Sequence, residues 1–358
     1  MSVNDTGPRL ETRTTGEVTP PTLIGGHHGG MRLLACPDKF RGTITAVEAA
    51  AAIAEGADEA GWNAGRQPMA DGGEGTLDAF GGPNRATTVT GPLGEPVEAA
   101  WRLDGDEAVI EMALASGLAL AGDSAGNHPM EATTAGTGEL LARAAESGAR
   151  RIVVGLGGSA TTDGGLGALK AMAPLPRFRG VDIEVACDVT TRFVDAAAVF
   201  GPQKGATPAQ VALLTRRLER LADVYDGEHG ISIGSLDRSG AAGGLAGGLA
   251  VVGAHLCDGF ELIAEAVELY DQIETAELVV TGEGRLDATS FKGKVVGGVA
   301  ALAAAAGVPV LAVVGRVAPD FDSPIDTIDL AARFGVERAM AEPSECVREA
   351  VSDWLSRK

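Results

Sequence analysis

Val280-Thr281-Gly282-Glu283-Gly284-Arg285-Leu286-Asp287, followed by Lys292-Gly293-Lys294, crowds acids, bases and glycines onto a turn that ends an apolar run. That mixture suits phosphate chemistry. Glycines admit backbone N–H groups to an anion, a following helix start adds partial positive charge, and carboxylates can hold a metal. Three more segments share the character: Pro37-Asp38-Lys39-Phe40-Arg41-Gly42, Ala70-Asp71-Gly72-Gly73-Glu74-Gly75, and Gly155-Leu156-Gly157-Gly158-Ser159-Ala160-Thr161-Thr162-Asp163-Gly164-Gly165.

Each segment has a chemical and a plainer reading. Thr45 and Glu48 form a Thr-x-x-Glu capping pattern after Asp38. A phosphate or carboxylate on that helix start would meet Lys39 or Arg41, although an ordinary capped loop needs the same residues. Asp71, Glu74 and Asp78, three and four residues apart among glycines, suit a hydrated Mg²⁺ held by one or two carboxylates, or simply cap a helix. Gly157, Gly158, Ser159 and Thr161 offer anion donors around Asp163. Asp188 closes the run Ile183-Glu184-Val185-Ala186-Cys187 and could deprotonate a hydroxyl, hold metal, or only shape a turn. Arg285 between Glu283 and Asp287 could bind phosphate or make a local ion pair worth under about 1 kcal/mol.

Several classes are unsupported. The chain has no Gly-x4-Gly-Lys-Ser/Thr, so a P-loop NTPase is not indicated, and Gly155-x-Gly157 lacks the rest of a dinucleotide fingerprint. Five histidines show no ligand spacing for zinc or a Ser-His-Asp hydrolase. The formal charge of −20 argues against nucleic acid and acidic membranes as partners. An anionic substrate would then need local cations. Six lysines stand against 23 arginines, and four of the six (Lys39, Lys204, Lys292, Lys294) lie in glycine-rich segments.

The elements that must position these residues read as α/β. At 358 residues the chain can bury a full core, built from aliphatics because aromatics make up only 4%. Residues 1–30, ending in a Gly-Gly-His-His-Gly-Gly run, read as a disordered tail before a natural start at Met31. Buried strands are expected at Arg32–Ala35, Arg151–Gly155, Asp182–Cys187, 278–281 and 308–314, alternating with alanine-rich helices around one parallel sheet. Ligands bind beyond the carboxyl ends of such strands, which is where the glycine motifs fall. Residues 87–89, 97–103 and 108–112 alternate as antiparallel strands do. Two α/β domains follow: a parallel-sheet domain from 31–69, 131–194 and 263–358, and an inserted mixed-sheet domain from 70–130 and 195–262. The uncharged stretch 295–315 is broken by Gly307 and Pro309, so it reads as a helix feeding a strand and not as a membrane span. Four scattered cysteines without a CxxC pair read as reduced thiols of a cytoplasmic protein.

Taken in order, these motifs closely resemble the bacterial glycerate kinase family that includes glyoxylate- and galactarate-pathway enzymes. The likeness runs from residue 31 to about 315 and weakens beyond. Besides the segments above it rests on Ile110-Glu111-Met112-Ala113, Thr134-x-Gly136-Thr137-Gly138-Glu139, Val185-Ala186-Cys187-Asp188-Val189, Phe200-Gly201-Pro202-Gln203-Lys204-Gly205 and Gly240-Ala241-Ala242-Gly243-Gly244-Leu245. Part of the 155–165 segment also echoes the phosphate loop of the galactokinase superfamily.

The resemblance implies that the parallel-sheet domain is flavodoxin-like. It also implies ATP- and Mg²⁺-dependent phosphorylation of D-glycerate to 2-phosphoglycerate; the oligomeric state is open, with a homodimer as the candidate assembly. Asp188, Asp287, Lys204 and Arg285 are then expected in catalysis. Asp38, Lys39, Arg41, Gly157, Gly158, Ser159, Thr161, Gly282, Gly284 and Lys294 would bind substrate and phosphate, and Asp71, Glu74, Asp163 and Glu283 the metal. The family's first motif has serine and lysine where this chain has Lys39 and Arg41, and an arginine where it has Asn127 or His128. The stretches before Val185 and between Asp188 and Val199 are short for the family. A kinase for another hydroxy acid, or a non-catalytic bilobal sensor, are the rival readings.

Overall fold

Short, mostly aliphatic runs become eleven strands in two sheets in the computed structural model, which describes residues 31–358. The expectations for residues 1–30, tail and start site alike, lie outside the described residues. The first sheet holds β1 (Arg32–Ala35), β2 (Asn63–Arg66), β9 (Leu278–Leu286), β10 (Val310–Val317) and β11 (Asp326–Asp329), all parallel, in the order β11-β10-β9-β1-β2. Counted within the sheet this is 2-1-3-4-5, the flavodoxin order, with its reversal between β1 and β9. At that switch point the loops after two neighbouring strands part and leave a crevice.

The second sheet runs β3 (Arg85–Thr90), β4 (Pro96–Asp104), β5 (Glu107–Glu111), β6 (Arg151–Gly155), β7 (Asp182–Cys187) and β8 (His255–Asp258) in chain order. Its first three strands are antiparallel hairpins and its last four are parallel. One expectation needs correction here: β6 and β7 belong to this mixed sheet, not to the flavodoxin-like one. A strand buried on both faces carries no pattern that says which parallel sheet it joins.

Helices cover both sheets. Helix α1 (Ala46–Glu59) is opened by the Thr45–Glu48 capping box, with both reciprocal bonds made. It buries an alanine face with Ile53 against β1 and the C-terminal part of the chain. Helix α2 (Ala135–Glu146) packs Leu140 and Leu141 into the mixed sheet's core with Trp101, Ile110, Ile152 and Val185. Helix α3 (Pro208–His229) also starts on a capping box, Thr207 with Gln210. Helix α4 (Ala241–Ala250) contains three successive left-handed residues, Ala242, Gly243 and Gly244, where side chains on the glycines would strike Thr161 and Phe193. Helix α5 (Val295–Ala306) feeds β10 across Gly307, as the broken hydrophobic stretch requires. Among the described residues no helix is long and apolar enough to cross a membrane. The four cysteines are free, three of them buried.

Candidate active site

The carboxyl ends of both sheets face a common cleft because the chain passes from one sheet to the other through the loop 67–75. Gly72 sits against Ala186 of β7, and its carbonyl accepts the Leu156 N–H at 2.7 Å. A side chain on Gly157 would run into Gly73. The glycine loop after β6 is thereby laid directly on the Asp71–Gly75 loop. At the switch point, Asp38 N–H donates to the Gly282 carbonyl at 2.9 Å and the Thr281 hydroxyl to the Cys36 carbonyl at 3.0 Å, tying the loops after β1 and β9 together.

Four carboxylates from four segments, Asp38, Asp71, Asp188 and Glu283, act on one another there. Asp38 is pushed up to about 6, first by burial and then by the Asp71 charge, with Lys39 and Lys294 opposing. Asp188 is also raised, by burial and by Asp71, and drawn back by its own backbone N–H and the same two lysines. Asp188 is exposed to solvent just past the end of β7. Glu283 is pushed up to about 7, chiefly by burial, and its Oε1 is buried without a hydrogen-bond partner. Lys39 Nζ donates to the Glu74 carbonyl at 2.7 Å and so closes over the Asp71–Gly75 loop.

Lys204 forms a second focus. It is 2% exposed, and its Nζ donates to Ser159 Oγ at 2.7 Å and to the Thr161 carbonyl at 2.6 Å. Burial lowers it to about 7, against the pull of Asp163. Asn127, in the region where the family has an arginine, donates from Nδ2 to the carbonyls of Ala160 and Lys204 and leaves Oδ1 buried without a partner. A buried amine is thus kept under the glycine loop, held by groups that would themselves face a phosphate.

Other expected site residues have structural work. Asp163 accepts from Thr134 N and Oγ1 and from the N–H groups of Gly165 and Gly167, which commits both its oxygens to the protein. Asp287 accepts from the Thr289 N–H and hydroxyl, and those bonds hold its pKa down. Arg285 is exposed and lies 3.9 Å from Asp287, a loose pair. Gly282 and Gly284 serve close packing: a side chain would strike the Val313 carbonyl or press on Phe40 and Arg41. Glu74 is exposed, and among the described residues no group of three or more histidines, cysteines or acids is arranged to hold a metal ion.

Sequence reasoning missed three neighbours. Glu111, at the end of β5, is 6% exposed and caps the Gly75 and Leu77 N–H groups at 3.0 and 2.8 Å, fixing the loop that carries Asp71. Arg238 pairs with Asp258 at 3.3 Å and donates to the Cys187 carbonyl, one residue before Asp188. Arg238 and Asp258 lie in no glycine motif, so only the fold brings them here. A cavity of about 510 Å³, lined by Lys39, Arg41, Thr43, Glu74, Asp78 and Glu111 among others, opens between the loops of the two sheets.

A two-sheet α/β protein with carboxylates and lysines around a glycine loop at a switch point defines a class, the enzymes that move phosphate between small molecules. The glycerate kinase family model matches residues 33–175 and 173–357. The chain is 40% identical to a glycerate kinase of Halalkalibacterium halodurans over 81% of this chain and 87% of the relative. It is 38% identical to the glycerate 2-kinase of Escherichia coli K12, over 81% and 86%. A crystal structure assigned to a glycerate kinase 2 of Salmonella typhimurium LT2 superposes with a TM-score of 0.79 at 34% identity, covering 92% of this chain and 98% of that one. The chain belongs to the glycerate kinase family and is a kinase.

Proposed function

We propose that the enzyme transfers the γ-phosphoryl group of ATP to the 2-hydroxyl of D-glycerate, giving ADP and 2-phosphoglycerate. The observation that carries the reading is the cluster of Asp38, Asp71 and Asp188 between Lys39 and Lys294, set against the glycine loop. Asp188 accepts the hydroxyl proton as the new O–P bond forms and the β,γ-bridging O–P bond breaks, so the acid is charged before transfer and neutral after it. A carboxylate raised by burial and by a neighbouring acid is a stronger base than a free one, which suits it to a hydroxyl. Lys39 and Arg41, at the mouth of the charged cavity, face the substrate carboxylate. Lys294 and Lys204 face the phosphates.

The residues fit Mg²⁺, because Glu283 keeps an orphaned buried oxygen and Asp38 and Asp71 repel each other. Mg²⁺ typically takes one or two carboxylates and keeps its waters, so no larger acid cluster is needed. One or two of Asp38, Asp71 and Glu283 would hold it, and when bound it would supply charge neutralisation for the phosphates. Reduced thiols and strong negative charge support a cytoplasmic setting.

The test is ATP consumption with D-glycerate and Mg²⁺, with the phosphate position of the product read by ³¹P NMR. Asp188→Asn should lower kcat by about 10²–10⁴-fold with KM values little changed, the range for loss of a general base. Near-normal kcat in a folded D188N enzyme would remove Asp188 from that role. Turnover of another hydroxy acid in place of glycerate would move the substrate assignment and leave the phosphoryl transfer standing.

A further inference from the structure

A second cavity, of about 450 Å³, opens where α3 packs on the end of the glycine loop. It differs from the charged cavity in lining. Leu218, Leu221 and Val224 project from one face of α3 at three-residue spacing, and Met130 and Leu166 complete an apolar slot. Two of these, Leu166 at 38% and Val224 at 46%, are among the most exposed large hydrophobic side chains of the described residues. They leave apolar surface bare inside a concavity, where a ligand can cover it. Thr162 and Asp163 belong to its wall, and the Thr162 hydroxyl is buried without a hydrogen-bond partner. Arg217 and Arg220 edge the slot, Arg217 also bracing it through the Met130 carbonyl at 3.0 Å.

The slot and the anion end of the glycine loop are one continuous segment. Gly157 lies on the Asp71 loop, Ser159 and Thr161 hold Lys204, and Thr162 and Asp163 line the slot. An occupant that uses both ends needs a flat apolar part and an anionic part. Pockets of a few hundred Å³, mostly apolar with a few polar groups, suit drug-sized ligands, and guanidinium groups stack on heteroaromatic faces. We propose that this slot holds the nucleobase and ribose of the co-substrate nucleotide, with the phosphates running along the glycine loop toward Asp71. The assignment rests on the kinase reading above and places the nucleoside away from the charged cavity.

Val224→Trp tests it, because the site is exposed enough to accept indole without disturbing the core. Wild-type enzyme and V224W are compared by titration calorimetry with ADP and by steady-state kinetics. The expected result is ADP binding and KM for ATP both weakened about tenfold or more, with kcat and KM for glycerate within about threefold. Leu166→Trp, from the opposite wall, should do the same. Unchanged ADP affinity and unchanged KM for ATP in both variants, beside an active wild type, would overturn the slot assignment. Weakened ADP binding with unchanged KM for ATP would give the slot to a regulatory nucleotide and equally overturn it. Absence of phosphoryl transfer by the wild type, with ADP binding still sensitive to V224W, would sink the kinase reading and keep the slot.

Discussion

Lys204 is the residue whose environment says most about how anions are received. A neutral amine has two N–H groups, and the two acceptors beside it, Ser159 Oγ and the Thr161 carbonyl, use both. A phosphate arriving on the glycine loop would favour the charged form and a third donor. Nucleotide binding is therefore expected to take up a proton near neutral pH, and KM for ATP should rise as pH climbs above about 7. Lys204→Met should weaken ATP at every pH and flatten that rise. The stability linkage runs the other way. Between about 7 and the ordinary 10.5 the unfolded chain binds a proton that the folded chain does not, so this group makes folding more favourable as pH increases. Urea titrations of wild type and K204M at pH 7 and pH 9.5 would show the slope in one and its loss in the other. Asp38 and Glu283 set the opposite limb. Both are raised, to about 6 and about 7, so the folded state binds extra protons above the ordinary carboxylate range and loses that advantage as pH climbs through those values. Activity that needs them ionised should rise across the same interval, and Glu283→Gln should displace the acid limb of kcat/KM. Lys204 stood out in the sequence as a rare lysine among glycines. Its depressed pKa did not, because burial depends on helices distant in the chain.

At the scale of elements, glycine does more packing than phosphate binding. The motifs of the 282–284 turn suggested open backbone N–H groups, yet both glycines let β9 approach β10 and the loop after β1. Gly259, after β8 and outside every motif, is a sharper case: a methyl group there would collide with the Asp71 carbonyl. Gly259→Ala should displace the Asp71 loop and lower kcat by about tenfold or more, while moderate losses of stability of about 1–3 kcal/mol reflect the overpacking. A normal kcat in G259A would show that the loop adjusts without moving Asp71. Helix α1 offers a control at the same scale. Its capping box was legible as Thr45-x-x-Glu48, and Thr45→Ala should cost about 1 kcal/mol in denaturant unfolding, with turnover unaffected once folded. The contrast is physical. A cap is a local bargain between residues three apart, whereas the place of β6 and β7 in the mixed sheet is decided by pairing partners that a short apolar run does not name.

For the whole molecule the question is how a chain of net charge −20 accepts an anionic sugar acid together with a polyanionic nucleotide. The long-range field is unfavourable, so attraction has to be local and late. Lys39 and Lys294 near the acid cluster, with Lys204 held below the loop, provide that short-range attraction. The acids of the cluster repel one another until a cation joins them, and no larger acid group stands ready to capture a metal alone among the described residues. Metal should then enter chiefly with the nucleotide and contribute little to the resting fold. Chelation with EDTA is expected to abolish turnover while leaving the melting temperature of the nucleotide-free enzyme within about 1 °C, because a ligand that binds weakly stabilises weakly. Addition of Mg²⁺ and ADP together should raise the melting temperature by more than the sum of the two added separately. A large drop in melting temperature on chelation alone would mean that the metal is a resident of the fold, held before any nucleotide arrives, and the order of assembly argued from the repelling carboxylates would have to be reversed.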